Sequence, residues 1–311
     1  MLGLFLLTLR ELRARKVIVG LAIVATLIWL TMALALQLDV VDGTLAAASV
    51  FGQEETVTPE PVLDRETGEP LLDGDGNVVL TNPKPNPFGD TVLESWVFGA
   101  QAFVAGAAYW IGILLALFAT GGLVAVLTDR GQADIVLSKP LSRSQVLLGR
   151  LAGVWAVTFA LVAYLLGAVW LVMSLKSGIW NPRFLLAIPV VFAMFATVYG
   201  VITLVSVWSG SGPLALIVTL GLLFVTLILG IPDLDLQLVR WLRPVVNGAY
   251  HVLPKFGSVG TSLVPALATG EPVLQPDADG AVIGLYPLLS SILFGAACYG
   301  GAFFLFKRKD F

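Results

Sequence analysis

The chain has 311 residues, 57% of them hydrophobic and 13% charged, with a net charge of −3. A soluble globular domain carries about half apolar and about a quarter charged residues, so this composition excludes a soluble fold. One cysteine (Cys298) excludes an intramolecular disulfide, one histidine and four methionines are too few for a metal-handling chain, and the negative charge argues against a nucleic-acid partner.

Charges are absent from Val17–Leu38, Ser95–Thr128, Leu151–Leu175, Phe184–Pro232 and Gly280–Phe306, which together make half of the chain. A membrane-spanning helix needs about 20 mostly apolar residues, so the chain reads as an all-α polytopic membrane protein. Met1–Lys16 joins an apolar LGLFLLTL to a basic RELRARK, which suits either an interfacial helix on the inner leaflet or a plain extension of the first span, 17–38. Ala33-Leu34-Ala35 mimics a signal-peptide cleavage site, but the leader and the apolar run are both too long for that pattern. The first span is therefore read as retained.

The loop 40–90 is the one stretch of soluble composition, and LDRETGEPLLDGDGNVVL within it predicts short strands joined by Gly and Asp turns. Asp73, Asp75 and Asn77 resemble the start of a calcium loop, but Val78 replaces its glycine and Lys84 its glutamate, so a hairpin turn is the reading. The second span, 98–127, is preceded by Thr91-Val-Leu-Glu94, a capping-box pattern that starts the helix outside the membrane or along its surface.

The loop 128–145 follows. Gln132–Leu137 can form a short helix whose apolar side is Ile135, Val136 and Leu137, ended by Pro140 and flanked by Asp129, Arg130, Asp134, Lys139 and Arg143. Ser142-Arg-Ser-Gln145 is then a capping box for the third span, 150–175. Such a segment is either a grip for a soluble partner or a solvated connection. Trp208-Ser-Gly-Ser-Gly-Pro213 splits the next run into spans 184–208 and 213–231, with Pro189 a possible kink in the first of them. The loop 233–285 predicts short amphipathic helices broken by Pro244, Pro254 and Pro265 and anchored at the interface by Trp241 and Tyr250. It is either a lid over a translocation route or interfacial packing. The sixth span is 286–306.

With both termini cytoplasmic, the inner segments hold 11 basic residues in 48 positions and the outer ones 7 in 121. That bias follows the positive-inside rule. No ionisable residue is expected within the spans, which argues against ion-coupled transport, and no phosphate-binding loop, HExxH or GxSxG occurs. The work must be powered from elsewhere. Small residues recur at helical spacing at Ala102/Gly106, Ala108/Gly112 and Ala297/Gly301, and the plain reading is close helix packing.

The string GQADIVLSKPLSRSQVLLGRLAG (131–153) resembles the coupling-helix region of type-2 ABC transporter permeases, in the bacterial branch that includes the nitrous-oxide-reductase maturation permease. FLLTLRELRARK before the first span, LPKF in the last outer loop and the C-terminal FKRKDF agree with it. Many members carry Glu and Gly-Thr where this chain has Asp129-Arg130-Gly131, with Ala133 in place of threonine. The resemblance implies one transmembrane permease domain over 1–311, non-catalytic itself, that dimerises in a bacterial cytoplasmic membrane. It implies a coupling helix docking a separate ATPase, which binds the ATP and Mg²⁺, through Asp129, Arg130, Gln132, Asp134, Ile135, Val136, Leu137, Lys139, Pro140 and Arg143. Export of an unidentified substrate is the expected function, with membrane lipids and a periplasmic accessory protein as further partners. Force transmission to such a partner, or an ATPase-independent scaffold, are the alternatives.

Overall fold

In a computed structural model, the described residues are 16–41, 44–50, 53–56, 60–61, 80–81, 92–128, 142–229, 243–269 and 285–308. Five helices are long and apolar enough to cross a membrane: α2 (Leu93–Ala125), α3 (Arg143–Ser177), α4 (Pro182–Ser209), α5 (Gly212–Leu229) and α8 (Tyr286–Arg308). This is a multi-pass membrane architecture. Three shorter helices complete it: α1 (Lys16–Ala35), α6 (Arg243–Val252) and α7 (Phe256–Thr269). The apolar stretch of α1, Ile18–Leu34, is shorter than the other five.

Helix bounds depart from the expected spans where local chemistry decides them. The first helix stops at Ala35 because Leu36-Gln37-Leu38-Asp39-Val40 alternates apolar and polar residues, a period of two that suits a strand. The chain enters β1 (Leu36–Val41), which pairs antiparallel with β2 (Thr44–Val50), and β2 pairs with β3 (Gln53–Thr56). A second pairing joins β4 (Glu60–Pro61) to β5 (Leu80–Thr81). Short strands thus join a helical protein, while the stretch expected to hold them, 63–80, lies outside the described residues except for Leu80. The interfacial helix before Lys16, Thr91 of the expected capping box, and the calcium-like Asp73, Asp75 and Asn77 lie outside the described residues.

The third helix starts at Arg143, seven residues before the expected boundary, because the capping box at Ser142 forms. It ends where Gly178 takes the left-handed conformation (φ 75°). α4 opens with a 3₁₀ turn, Pro182–Leu186, and becomes α-helical at Ala187. Pro189 lies in that first α turn, where a backbone N–H has no obligatory partner, so it starts the helix and does not kink a mid-span. Between α4 and α5, Gly210 is left-handed (φ 70°), and the Ser211 hydroxyl accepts from Leu214 N at 3.4 Å to cap α5.

α4 is the central helix, packed against α8, α5, α3 and α2. Its closest approach is to α8, where a Cβ added at Gly295 would stand 2.8 Å from Thr197 Cα, and one at Gly200 would stand 3.1 Å from the Gly295 carbonyl oxygen. Of the expected small-residue pairs, Gly301 does pack on α4 beside Leu204, but Ala297 is exposed and Gly106 has open space around it.

Within the last expected loop, α7 is packed into the bundle. Phe256, Val259, Leu263, Val264 and Leu267 are buried, and the helix packs against α2, the start of α4, and α5. Pro265 does not break α7, because a π-turn (Val259–Leu263) directly before it shifts the hydrogen-bond register. Pro244 falls in the first turn of α6, and Trp241 lies outside the described residues.

Candidate functional site

The candidate docking segment is defined here by its two ends. Asp129, Arg130, Gln132, Asp134, Ile135, Val136, Leu137, Lys139 and Pro140 lie outside the described residues, and Arg143 is the first residue of α3. On the near side, α2 tightens into a 3₁₀ turn, Val126–Thr128. On the far side, the Ser142 hydroxyl accepts from Gln145 N at 3.3 Å, while Gln145 Oε1 accepts from Ser142 N at 3.0 Å. The reciprocal bonds satisfy two donors that the helix start leaves open. The segment is therefore held between two well-defined helix ends.

Both ends are clamped to the bundle. α2 is interrupted at Gly121, and neighbouring side chains take up carbonyls beside the interruption. Buried Arg150 of α3 donates from Nε to the Leu123 oxygen at 3.2 Å, and Tyr199 of α4 donates its hydroxyl proton to the Thr120 oxygen at 3.3 Å. From the third side α5 presses in. A Cβ on Gly212 would stand 3.0 Å from Gly122 Cα, and one on Gly121 would lie 2.6 Å from Leu216 Cδ2.

Arg150 was placed by sequence at the edge of the third span; the structure puts it two turns inside a helix and buries it between Leu147 and Leu151. Its signal was an arginine with leucines on both sides. Glu94 falls inside α2, in its first turn, ahead of the expected span 98–127.

The opposite end of the bundle carries a second arrangement, around α7. Tyr109 donates its hydroxyl proton to the Phe256 oxygen at 2.7 Å and stacks on the Phe256 ring, with centroids 4.6 Å apart. Trp110 meets Phe256 edge-on at 5.3 Å. Gly260 fits against both rings, since a Cβ there would lie 2.5 Å from Trp110 and 2.6 Å from Tyr109. At the other end of α7, Asn181 Nδ2 donates to the Ala268 oxygen at 2.8 Å and to Gln101 Oε1 at 3.1 Å, and Trp170 Nε1 donates to the Asn181 oxygen at 2.9 Å. Among the described residues, buried Gln101 Nε2 has no hydrogen-bond partner. The two fastenings are about 18 Å apart along the helix.

The LPKF motif supplies the near fastening. Beside Phe256, Lys255 is 3% exposed, with its backbone N donating to Ser291 Oγ at 2.8 Å and Nζ donating to Ser290 Oγ at 3.1 Å. The ammonium sits 4.7 Å from the Tyr250 ring centroid and 4.6 Å from that of Tyr286, and burial pushes its pKa below the ordinary lysine value. Among the described residues, no group of three or more His, Cys, Asp or Glu side chains gathers to hold a metal ion. No family model, no curated protein and no solved structure matches the chain.

Proposed function

We propose that this chain is the membrane-spanning permease subunit of a type-2 ABC exporter, crossing the bacterial cytoplasmic membrane six times with α1 as the sixth span and both termini inside. Two copies would form the translocation unit and recruit a separate ATPase, which binds ATP and Mg²⁺. The observation that carries this reading is the 129–141 segment: an apolar strip flanked by charges, strung between two helix ends that are clamped to the bundle. A flexible tether would absorb a push. A segment whose bases are bonded to three neighbouring helices passes it on. In this mechanism, closure of the ATPase pair moves the segment, and Arg150 and the Gly121/Gly122/Gly212 contact carry that motion to α3 and α5.

Force transmission without transport is the second reading, and one feature favours it. α1 runs into β1 with no intervening loop, so movement of α1 is handed directly to the sheet β1-β2-β3 on the outer side.

The test is an Ile135→Ala/Leu137→Ala double variant. It inserts normally but loses the copurifying ATPase or its coupled activity, because truncating packed interface residues often costs more than about 1 kcal/mol each. Lys139→Ala does less, since exposed ion pairs are worth about 0–1 kcal/mol. Full ATPase association and turnover in the double variant would reject the docking assignment and favour a scaffold. With the ATPase bound, ATP-driven substrate flux in liposomes separates an exporter from a force transmitter.

A further inference from the structure

A slot of about 220 Å³ lies between α1, α2 and α3, with Phe195 of α4 at its floor. Its walls run from Leu21 to Ile28 on α1, from Phe103 to Ala116 on α2 and from Thr158 to Leu165 on α3. At 1.5 Å per residue these stretches are about 10, 20 and 10 Å long, so the space is elongated along the helix axes. Small residues create it. Ala25, Ala107, Ala108 and Gly112 leave room where larger side chains would close the helices together, and the π-turn Ala108–Gly112 re-aims the residues that follow it.

Each wall stretch is centred near the middle of its own helix, at α1 Lys16–Ala35, α2 Leu93–Ala125 and α3 Arg143–Ser177. In a membrane-spanning bundle that position is the hydrocarbon core, about 30 Å thick. The floor is buried at Val104, Ala108 and Phe195, while Val24 and Phe103 stand exposed at the mouth. Among the described residues that line the slot, Thr158 contributes the only hydroxyl and none is charged, so a polar group entering it would be poorly partnered. An unfilled space of this kind forfeits the dispersion contacts of its walls.

We propose that the slot is a binding site for one acyl chain of a bilayer phospholipid. Its length along the membrane normal, its hydrocarbon lining and its mouth open to the hydrocarbon core select that occupant over a compact or polar one. The headgroup stays outside the slot. The proposal rests on the membrane-spanning reading of α1, α2 and α3 and is independent of any ATPase, so loss of the docking assignment would leave it standing.

The test uses the full-length chain in nanodiscs of phosphatidylethanolamine and phosphatidylglycerol, with a trace of phospholipid carrying a diazirine near the middle of one acyl chain. After photolysis, adducts mapped by mass spectrometry concentrate several-fold on slot residues such as Ala25 and Ile113 relative to the exposed Phe224 and Leu293. Val24→Trp, a change at an exposed position, closes the mouth and removes that enrichment without lowering the melting temperature. Adducts spread evenly over all exposed apolar positions, meaning annular lipid only, would overturn the site, as would enrichment unchanged in Val24→Trp. Phe103→Cys in a Cys298→Ser background supplies a second check: disulfide-linked dimers would show that another copy covers the mouth and would also overturn it.

Discussion

Gly295 stands where α8 crosses α4, and the space left for a side chain decides what it tolerates. Its backbone is ordinary helix, yet an added Cβ would lie 2.8 Å from Thr197 Cα, a backbone atom that cannot swing aside. Gly295→Ala therefore forces the helices apart and costs about 1–3 kcal/mol, the usual range for overpacking. A fall in the thermal midpoint of the detergent-solubilised protein checks it, with Gly106→Ala as the neutral control because nothing lies within 4 Å of its Cβ position. Sequence spacing could not find this crossing. It singled out Ala297 and Gly301, on the same helix, because a small residue is visible in sequence but the partner backbone opposite it is not. Lys255 poses an electrostatic question at the same scale. Its folded pKa lies below the ordinary 10.5, so between those two values the unfolded chain binds more protons than the folded one. Stability then rises with pH across that window, is fully gained above 10.5 and is absent below the folded value. Lys255→Met lacks this rise, and the difference between the two melting curves, followed from neutral pH upward, should narrow or widen only within that window. A constant difference throughout would show that burial does not perturb the ammonium.

At the scale of elements, α2 shows what a run of uncharged residues reveals and what it hides. The stretch Ser95–Thr128 predicted one long helix, and one long helix is present. Its three irregularities, the π-turn at Ala108–Gly112, the interruption at Gly121 and the 3₁₀ turn at Val126–Thr128, were not legible. Two of them face tertiary partners far along the chain: Tyr109 bonds Phe256, and Gly121 meets Leu216. The capping box Ser142–Gln145 was legible because both partners lie within one turn. The packing of α7 was hidden for the same reason as α2's breaks. Pro265 suggested a break, whereas the helix continues through it, with Phe256 at its start packed on Tyr109 and Trp110. The clamp at the base of the docking segment yields a direct test. Arg150→Ala leaves the buried Leu123 carbonyl without that donor, a loss of about 1–3 kcal/mol. Because α3 keeps its own capping box, the damage is expected on the α2 side: amide exchange at Thr120–Thr128 accelerates while that at Val146–Val154 changes less. Uniform acceleration along both helices would mean that Arg150 supports the fold at large and not this junction.

For the whole molecule the open quantity is direction in the membrane, and charges and aromatic rings at the helix ends bear on it together. Trp180 and Trp208 stand exposed just before and at the end of α4 (Pro182–Ser209), bracketing its apolar length as interfacial tryptophans do. Lys16 opens α1, Arg143 opens α3, and Lys307 and Arg308 close α8, with the Arg308 guanidinium lying 4.1 Å from the Phe304 ring centroid. In the proposed six-crossing arrangement these three basic ends share one face, the cytoplasmic one by the positive-inside rule. The same proposal puts α7, packed on α2, and the sheet β1-β2-β3 on the outer side. Single cysteines introduced in a Cys298→Ser background read this arrangement directly. Glu60→Cys and Gln275→Cys are expected to react with a membrane-impermeant maleimide in intact cells, and Asp134→Cys and Lys309→Cys only after permeabilisation. Labelling of position 134 from outside would invert the bundle and detach the docking segment from any cytoplasmic ATPase. Labelling of Thr8→Cys and of position 60 from the same side would remove α1 as a crossing helix, leaving the five longer helices as the spans.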